Sequence, residues 1–168
     1  KMTMTNCNIV NNSAYEDYGG LLNEVKYSKF YNSIFWGNDV AGTPDQIEGE
    51  CDLVNCAVEG GYAGTNIIDL SPLNNGSDGK AYPMFNNPDE NDYELSTASP
   101  LINAGDNSAS NMPDYDINYG WRIGQGTVDI GAYEYQGGLD LTEIDNENYH
   151  TIYPNPMQNT LNIEGDDN

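Results

Sequence analysis

Positive charge is nearly missing from this chain: Lys and Arg number 5 against 27 Asp and Glu, for a formal net charge of −22. Such a surface repels nucleic-acid backbones, whose binding rests on Lys and Arg neutralising phosphates, and it repels anionic lipid for the same reason. No nucleic-acid partner is expected. Long apolar stretches are lacking too, none approaching the roughly 20 residues a helix needs to cross a bilayer, so direct membrane insertion is not expected either. Histidine occurs once, at His150. It has no cysteine or carboxylate pattern around it, whereas metal sites need several ligands at defined spacing. There is no phosphate-cradling glycine loop, no nucleophile elbow and no paired CxxC.

Cysteine is sparse, with 3 in the chain, which excludes a disulfide scaffold. If Cys7 and Cys56 share a column with Ser33 between them, they stand about 9.6 Å apart at ordinary strand spacing. A disulfide needs Cα atoms within about 7 Å. Cys51 and Cys56 meet only if the chain turns between them, since five extended residues span about 17 Å. Buried free thiols acting as small apolar groups are the simpler expectation.

What is abundant is Asn, Gly, Asp, Tyr, Ser and Thr, a composition of turn-rich β structure. Within it one phrase recurs, as Asn6-Cys7-Asn8-Ile9, Asn32-Ser33-Ile34-Phe35 and Asn55-Cys56-Ala57-Val58. Spacings between roughly 20 and 50 residues mark stacked units, none of which buries its apolar face alone. Stacked in register, Asn6, Asn32 and Asn55 form a side-chain ladder. The pairs Cys7/Ile9, Ser33/Phe35 and Cys56/Val58 then point inward by the two-residue period of strands.

The expected fold is all-β: residues 1–73 as the last coils of a right-handed parallel β-helix, with turns at Tyr18-Gly19-Gly20, Trp36-Gly37-Asn38-Asp39, Gly42-Thr43-Pro44-Asp45 and Gly60-Gly61-Tyr62. Asn23 to Phe30 and Gln46 to Leu53 are strand candidates for the other faces. Residues 74–136 lose the period and read as an irregular β cap closing the solenoid, since a bare last coil exposes unpaired backbone. Tyr93-Glu94-Leu95 and Thr127 to Tyr135 are its strand candidates, the latter with Val128, Ile130 and Ala132 on one side. Residues 137–151 read as an acidic linker. After it, Tyr153-Pro154-Asn155-Pro156 and the alternating Leu161-Asn162-Ile163 begin a new strand. The opening Lys1-Met2-Thr3-Met4-Thr5 already alternates like a strand, so the natural protein is expected to continue upstream.

The run Ser99-Pro100-Leu101-Ile102-Asn103-Ala104-Gly105-Asp106-Asn107, then Arg122, then Val128-Asp129-Ile130-Gly131-Ala132-Tyr133-Glu134-Tyr135, resembles the C-terminal end of bacterial parallel β-helix surface proteins of the choice-of-anchor type. Asn32 to Asn38 and Tyr93-Glu94-Leu95 share the likeness, which covers roughly residues 30–136. The tail, 152–168, is similar to the start of a type IX secretion system sorting domain, through Tyr153, Pro154, Asn155, Pro156, Leu161 and Ile163, and stops after its first strand. The resemblance implies a protein exported to, and attached to or released from, the outer surface of a Gram-negative outer membrane. Its implied partners are the type IX translocon, shuttle and attachment proteins, with glycans as ligands of the whole protein.

Candidate site residues are few. Asp114, Asp116 and Asn118 place oxygens at alternate positions, as calcium loops do. The pattern departs from an EF-hand because Tyr119 stands at the turn glycine and Gln125 where the bidentate Glu belongs, so an acidic capping loop is the competing reading, with no cofactor. Arg122, the only Lys or Arg after Lys80, is expected to clamp the cap through Asp106 or Asp129. Read as a lyase base it lacks a second basic group and a cleft. Trp36 and the 13 tyrosines suit either ladders or stacking on sugar rings. Two functions follow: a non-catalytic terminal segment of a surface cargo protein, or the end of a carbohydrate-active lyase or hydrolase whose catalytic coils lie upstream.

Overall fold

The computed structural model describes residues 2–70 and 83–137. Among them the protein is all-β, its one helical piece a single 3₁₀ turn at Pro88–Glu90. The first repeat holds β1 (Thr3–Thr5), β2 (Asn8–Val10), β3 (Ser13–Ala14) and β4 (Leu21–Leu22). The second holds β5 (Lys29–Tyr31), β6 (Ile34–Trp36), β7 (Asp39–Val40), β8 (Thr43–Pro44) and β9 (Ile47–Glu48). Then come β10 (Asp52–Val54), β11 (Ala57–Val58) and β12 (Ile68–Asp69), and finally the antiparallel pair β13 (Phe85–Asn87) and β14 (Asp92–Leu95).

Pairing across the repeats is parallel. Thr3 lies beside Lys29 and Lys29 beside Asp52, while Asn8, Ile34, Ala57 and Ile68 form one row across the sheet β12-β11-β6-β2. β3 lies beside β7 and β4 beside β9 in the same sense. The sheets are small, two to four strands each. What keeps them short is the corners. Asn6, Asn32 and Asn55 have φ of 53°, 47° and 50°, and Asn66 continues them at 53°. This left-handed conformation turns the chain between strands, and asparagine tolerates it better than other residues with a side chain. A second column of corners runs Asn11, Gly37 and Gly60, with φ of 53°, 68° and 79°. A Cβ at Gly37 would fall 2.2 Å from Asn11 Oδ1, so that column needs glycine under its asparagine.

Sheet β12-β11-β6-β2 is covered on both faces, the usual condition of parallel strands. On one side Ile9, Phe35 and Val58 pack with Met4, Phe30, Leu53 and Cys56, and Phe30 meets Phe35 edge to face at 5.6 Å. The opposite phase, Val10, Ile34, Trp36, Ala57 and Ile68, packs against Phe85, Leu95, Leu101 and Ile130. Segment 83–132 therefore lies on the outer face of this sheet. Trp36, Phe85 and Tyr93 join by two edge-to-face contacts at 5.9 and 5.3 Å, so Trp36 is part of this packing.

Three strand expectations are corrected. Asn23 to Phe30 is a turn leading into β5, held by Asn23 Nδ2 donating to the Glu50 carbonyl and Ser28 Oγ to the Val25 carbonyl. Gln46 to Leu53 breaks between β9 and β10 at Gly49, φ 99°. Thr127 to Tyr135 is no strand: Val128 and Ile130 are buried, but the chain kinks at Gly131, φ 119°. Its neighbours bond to side chains in place of a ladder, the Tyr135 N–H to Asp129 Oδ2 and the Asp129 N–H to Glu134. The expected strand at Tyr93 to Leu95 lies within β14.

The corner geometry generates a graded expectation at Asn32, which is fully buried. Asn32→Ala should lower stability by about 3 kcal/mol, combining lost buried hydrogen bonds with left-handed strain of about 1 kcal/mol. Asn32→Gly, free of the strain, should lose about 1 kcal/mol less. Urea unfolding of the three proteins checks the order.

Candidate functional site

The corner asparagines do more than turn the chain. Asn32 Nδ2 donates to the Asp106 carbonyl at 3.1 Å while its Oδ1 accepts the Asp106 N–H at 2.8 Å, a two-way clasp on the backbone of one residue. Asn6 Nδ2 donates to the carbonyls of Asp129 and Gly131, and Asn55 Nδ2 to that of Ala104. Along the column itself the contacts are longer, 3.4 Å from Asn32 to Asn6 and 3.3 Å from Asn66 to Asn55. The three sequence-expected ladder residues are thus aligned, and their amides hold segment 104–131 against the flank of the strand stack. Gly131 N donates to the Asn32 carbonyl at 2.8 Å and Ala132 N to Asn8 Oδ1 at 3.0 Å.

The second cluster centres on Arg122, which is 3 % exposed. Its partner is Glu134, at 3.0 Å, and not Asp106 or Asp129. The Asp106 carboxylate accepts from the N–H and hydroxyl of Ser108, and both Asp129 oxygens accept backbone N–H groups, from Asn103 and Tyr135. The guanidinium also donates to the carbonyls of Gly131, Ala132 and Tyr115. Its Nε has no hydrogen-bond partner among the described residues. Burial pushes the Glu134 carboxyl up to about 7, against the lowering effect of the Asp129 N–H and of Arg122, with the Asp129 charge adding to the rise. Burial raises Asp129 as well. With its guanidinium donating to Gly131, Ala132 and Glu134 of the closing run and to Tyr115 of its own loop, buried Arg122 holds the loop at 114–123 onto residues 129–135.

Of Asp114, Asp116 and Asn118, the last two have side chains engaged within the protein. Asp116 Oδ1 accepts the N–H of Asn118 and of Gly120, and its Oδ2 that of Glu134. Asn118 turns away, donating to Glu94 Oε1 at 2.5 Å. No group of three or more His, Cys, Asp or Glu able to hold a metal ion occurs among the described residues. The three cysteines are free, and Cys56 is fully buried. Burial pushes its thiol up to about 11, so it stays protonated and unreactive. Tyr153, Pro154, Asn155, Pro156, Leu161 and Ile163, with His150, lie outside the described residues.

Two features escaped the sequence reading. The Asn11, Gly37, Gly60 column was hidden because its members differ in type. The role of Glu134 was hidden because it follows Arg122 at a distance that no regular element implies. Comparison with protein-family models, with curated proteins and with solved structures finds no match.

Replacing Arg122 by Met should cost about 3–5 kcal/mol, since it leaves the Glu134 carboxyl buried without its countercharge. A folded-state pKa raised above 4.5 means the folded protein holds the Glu134 proton more tightly. That stability is complete below about 4.5 and is lost as pH rises through about 7, on the order of 3 kcal/mol. Asp129 acts in the same direction. Thermal melts from pH 4.5 to 8 should therefore show a decline that is shallower in Glu134→Gln. Millimolar calcium or chelator should leave the melting temperature unmoved, because the Asp116 oxygens already have backbone partners.

Proposed function

We propose that this chain is the terminal part of a right-handed parallel β-helix, its last coils in 1–73 with an irregular β segment in 74–136, belonging to an exported cell-surface protein. The single observation that carries the reading is the in-register parallel pairing of the repeated phrases, Asn8 to Ile34 to Ala57, with left-handed asparagines at each corner. Helical sheets and hairpin folds do not need such a column; coils stacked on one another do. Support also comes from the first repeat, whose strands β1, β2, β3 and β4 pair on one side only among the described residues, leaving the edge on which a preceding coil would add. The segment itself is non-catalytic: its buried acids and its one buried Arg are committed to backbone and to each other. Adhesion or glycan binding is the work of the whole protein in this reading.

Export rests on the tail, through its likeness to a type IX sorting domain. The test is capture of the purified chain by immobilised type IX shuttle and attachment proteins, with and without residues 152–168. Deletion should abolish capture; equal capture of both forms would count against the sorting role.

A further inference from the structure

The loop 114–123 carries an unabsorbed feature. Its backbone is fixed by the Asp116 N–H to the Gly120 carbonyl at 2.8 Å, Arg122 N–H to the Asp114 carbonyl at 3.0 Å, and Ile117 N–H to the Ala132 carbonyl at 3.2 Å. Asp116 and Arg122 are buried beneath it. With those two anchored inward, their neighbours are turned out: Tyr115 is 46 % exposed, Ile117 59 %, Tyr119 88 %, Trp121 52 % and Ile123 43 %. The Tyr115 and Trp121 rings lie against each other, centroids 4.6 Å apart and planes 35° apart. Five large apolar groups within nine residues thus stand in water on a rigid frame, which is the signature of a binding surface more than of a folding requirement.

The chemistry on the Asn118 side of the same loop narrows the occupant. Asn118, between Ile117 and Tyr119, reaches a shallow cleft of about 170 Å³ that is also lined by Thr97, Tyr135 and Gln136, groups suited to hydroxyls. The carboxylates of that cleft are already engaged, Asp116 by backbone, Glu134 by Arg122 and Glu94 by Asn118, so a cation finds little uncommitted countercharge there. An anion finds none, since Arg122 is buried and the chain's net charge is −22. A pyranose has an apolar C–H face for a ring to stack on and a rim of hydroxyls for amide and hydroxyl groups, the mixture that small-molecule sites use.

We infer that Tyr115, Tyr119 and Trp121 form a stacking platform for an uncharged glycan, with the Asn118 side of the loop meeting its hydroxyls. The platform stands whether or not the chain is exported, so failure of the sorting test leaves it untouched.

The test is isothermal titration of the full chain with neutral hexasaccharides of β-1,4-glucose, β-1,3-glucose and α-mannose, beside polygalacturonate and oligolysine. At least one neutral sugar should bind, with no dependence on salt, and Trp121→Ala or Tyr119→Ala should weaken it tenfold or more while leaving the melting temperature within a few degrees. Trp36→Phe, on the buried face, should leave affinity unchanged provided its melt shows a folded chain. Absence of binding across the three neutral sugars, or binding that survives Trp121→Ala, overturns the inference. So does salt-sensitive binding of oligolysine that Trp121→Ala abolishes, or self-association through the same loop seen by light scattering.

Discussion

Asparagine at left-handed corners is the constraint from which this structure follows. A strand stack must turn at the end of each strand, and the turn demands a positive φ that most side chains resist. Asparagine accepts it and brings an amide with one acceptor and two donors. Buried, those groups have to find partners or cost about 1–3 kcal/mol each. Here they find them mainly across the column and not only along it: Asn6, Asn32 and Asn55 bond to the backbone of segment 104–131. The irregular half of the protein is thereby tied to the regular half by the residues that make the regular half turn.

That tie explains why segment 83–132 lies along a flank. Row Asn8, Ile34, Ala57, Ile68 grows apolar after its first member, and Ile34 is completely buried in a cluster with Phe85, Leu95, Leu101 and Ile130 of that segment. The sheet thus has two cores, one between the strand stacks and one under the irregular segment. Segment 83–132 has little ladder of its own beyond β13 and β14, and its backbone groups are satisfied partly by scattered bonds to one another and partly by side chains, Asp116, Asp129 and Asn32 chief among them. Buried polar groups paired in this manner specify one arrangement where apolar contacts alone would tolerate several.

How much of this was legible beforehand varies with how local the signal is. The recurring Asn phrase carries its own register, so the column and the inward set are readable from spacing alone: Ser33, Phe35, Cys56 and Val58 are buried, while Cys7 and Ile9 of the first repeat are only half-buried. Alternation at Thr127 to Tyr135 misleads because it arises from residues that alternate between burial and side-chain bonding, and Gly131 breaks any ladder there. The partner of Arg122 is unreadable for a related reason: three acids compete for it, and the choice of Glu134 depends on Asp106 and Asp129 being consumed by contacts that exist only once the chain has folded. In the 114–118 run, alternate oxygens suggest a cation, yet the same spacing serves a carboxylate that caps its own turn.

The repeat also shortens: partners in the central sheet stand 26 residues apart, then 23, and Ile68 follows Ala57 after only 11. A round of 11 residues has too little contour to trace the perimeter that the first did, so the last layer is a remnant and not a copy. Among the described residues β12 offers an edge of just two residues, Ile68–Asp69, too short a template for a second copy of this chain to pair on, so shape blunts edge-to-edge association there before any charge on the surface is considered.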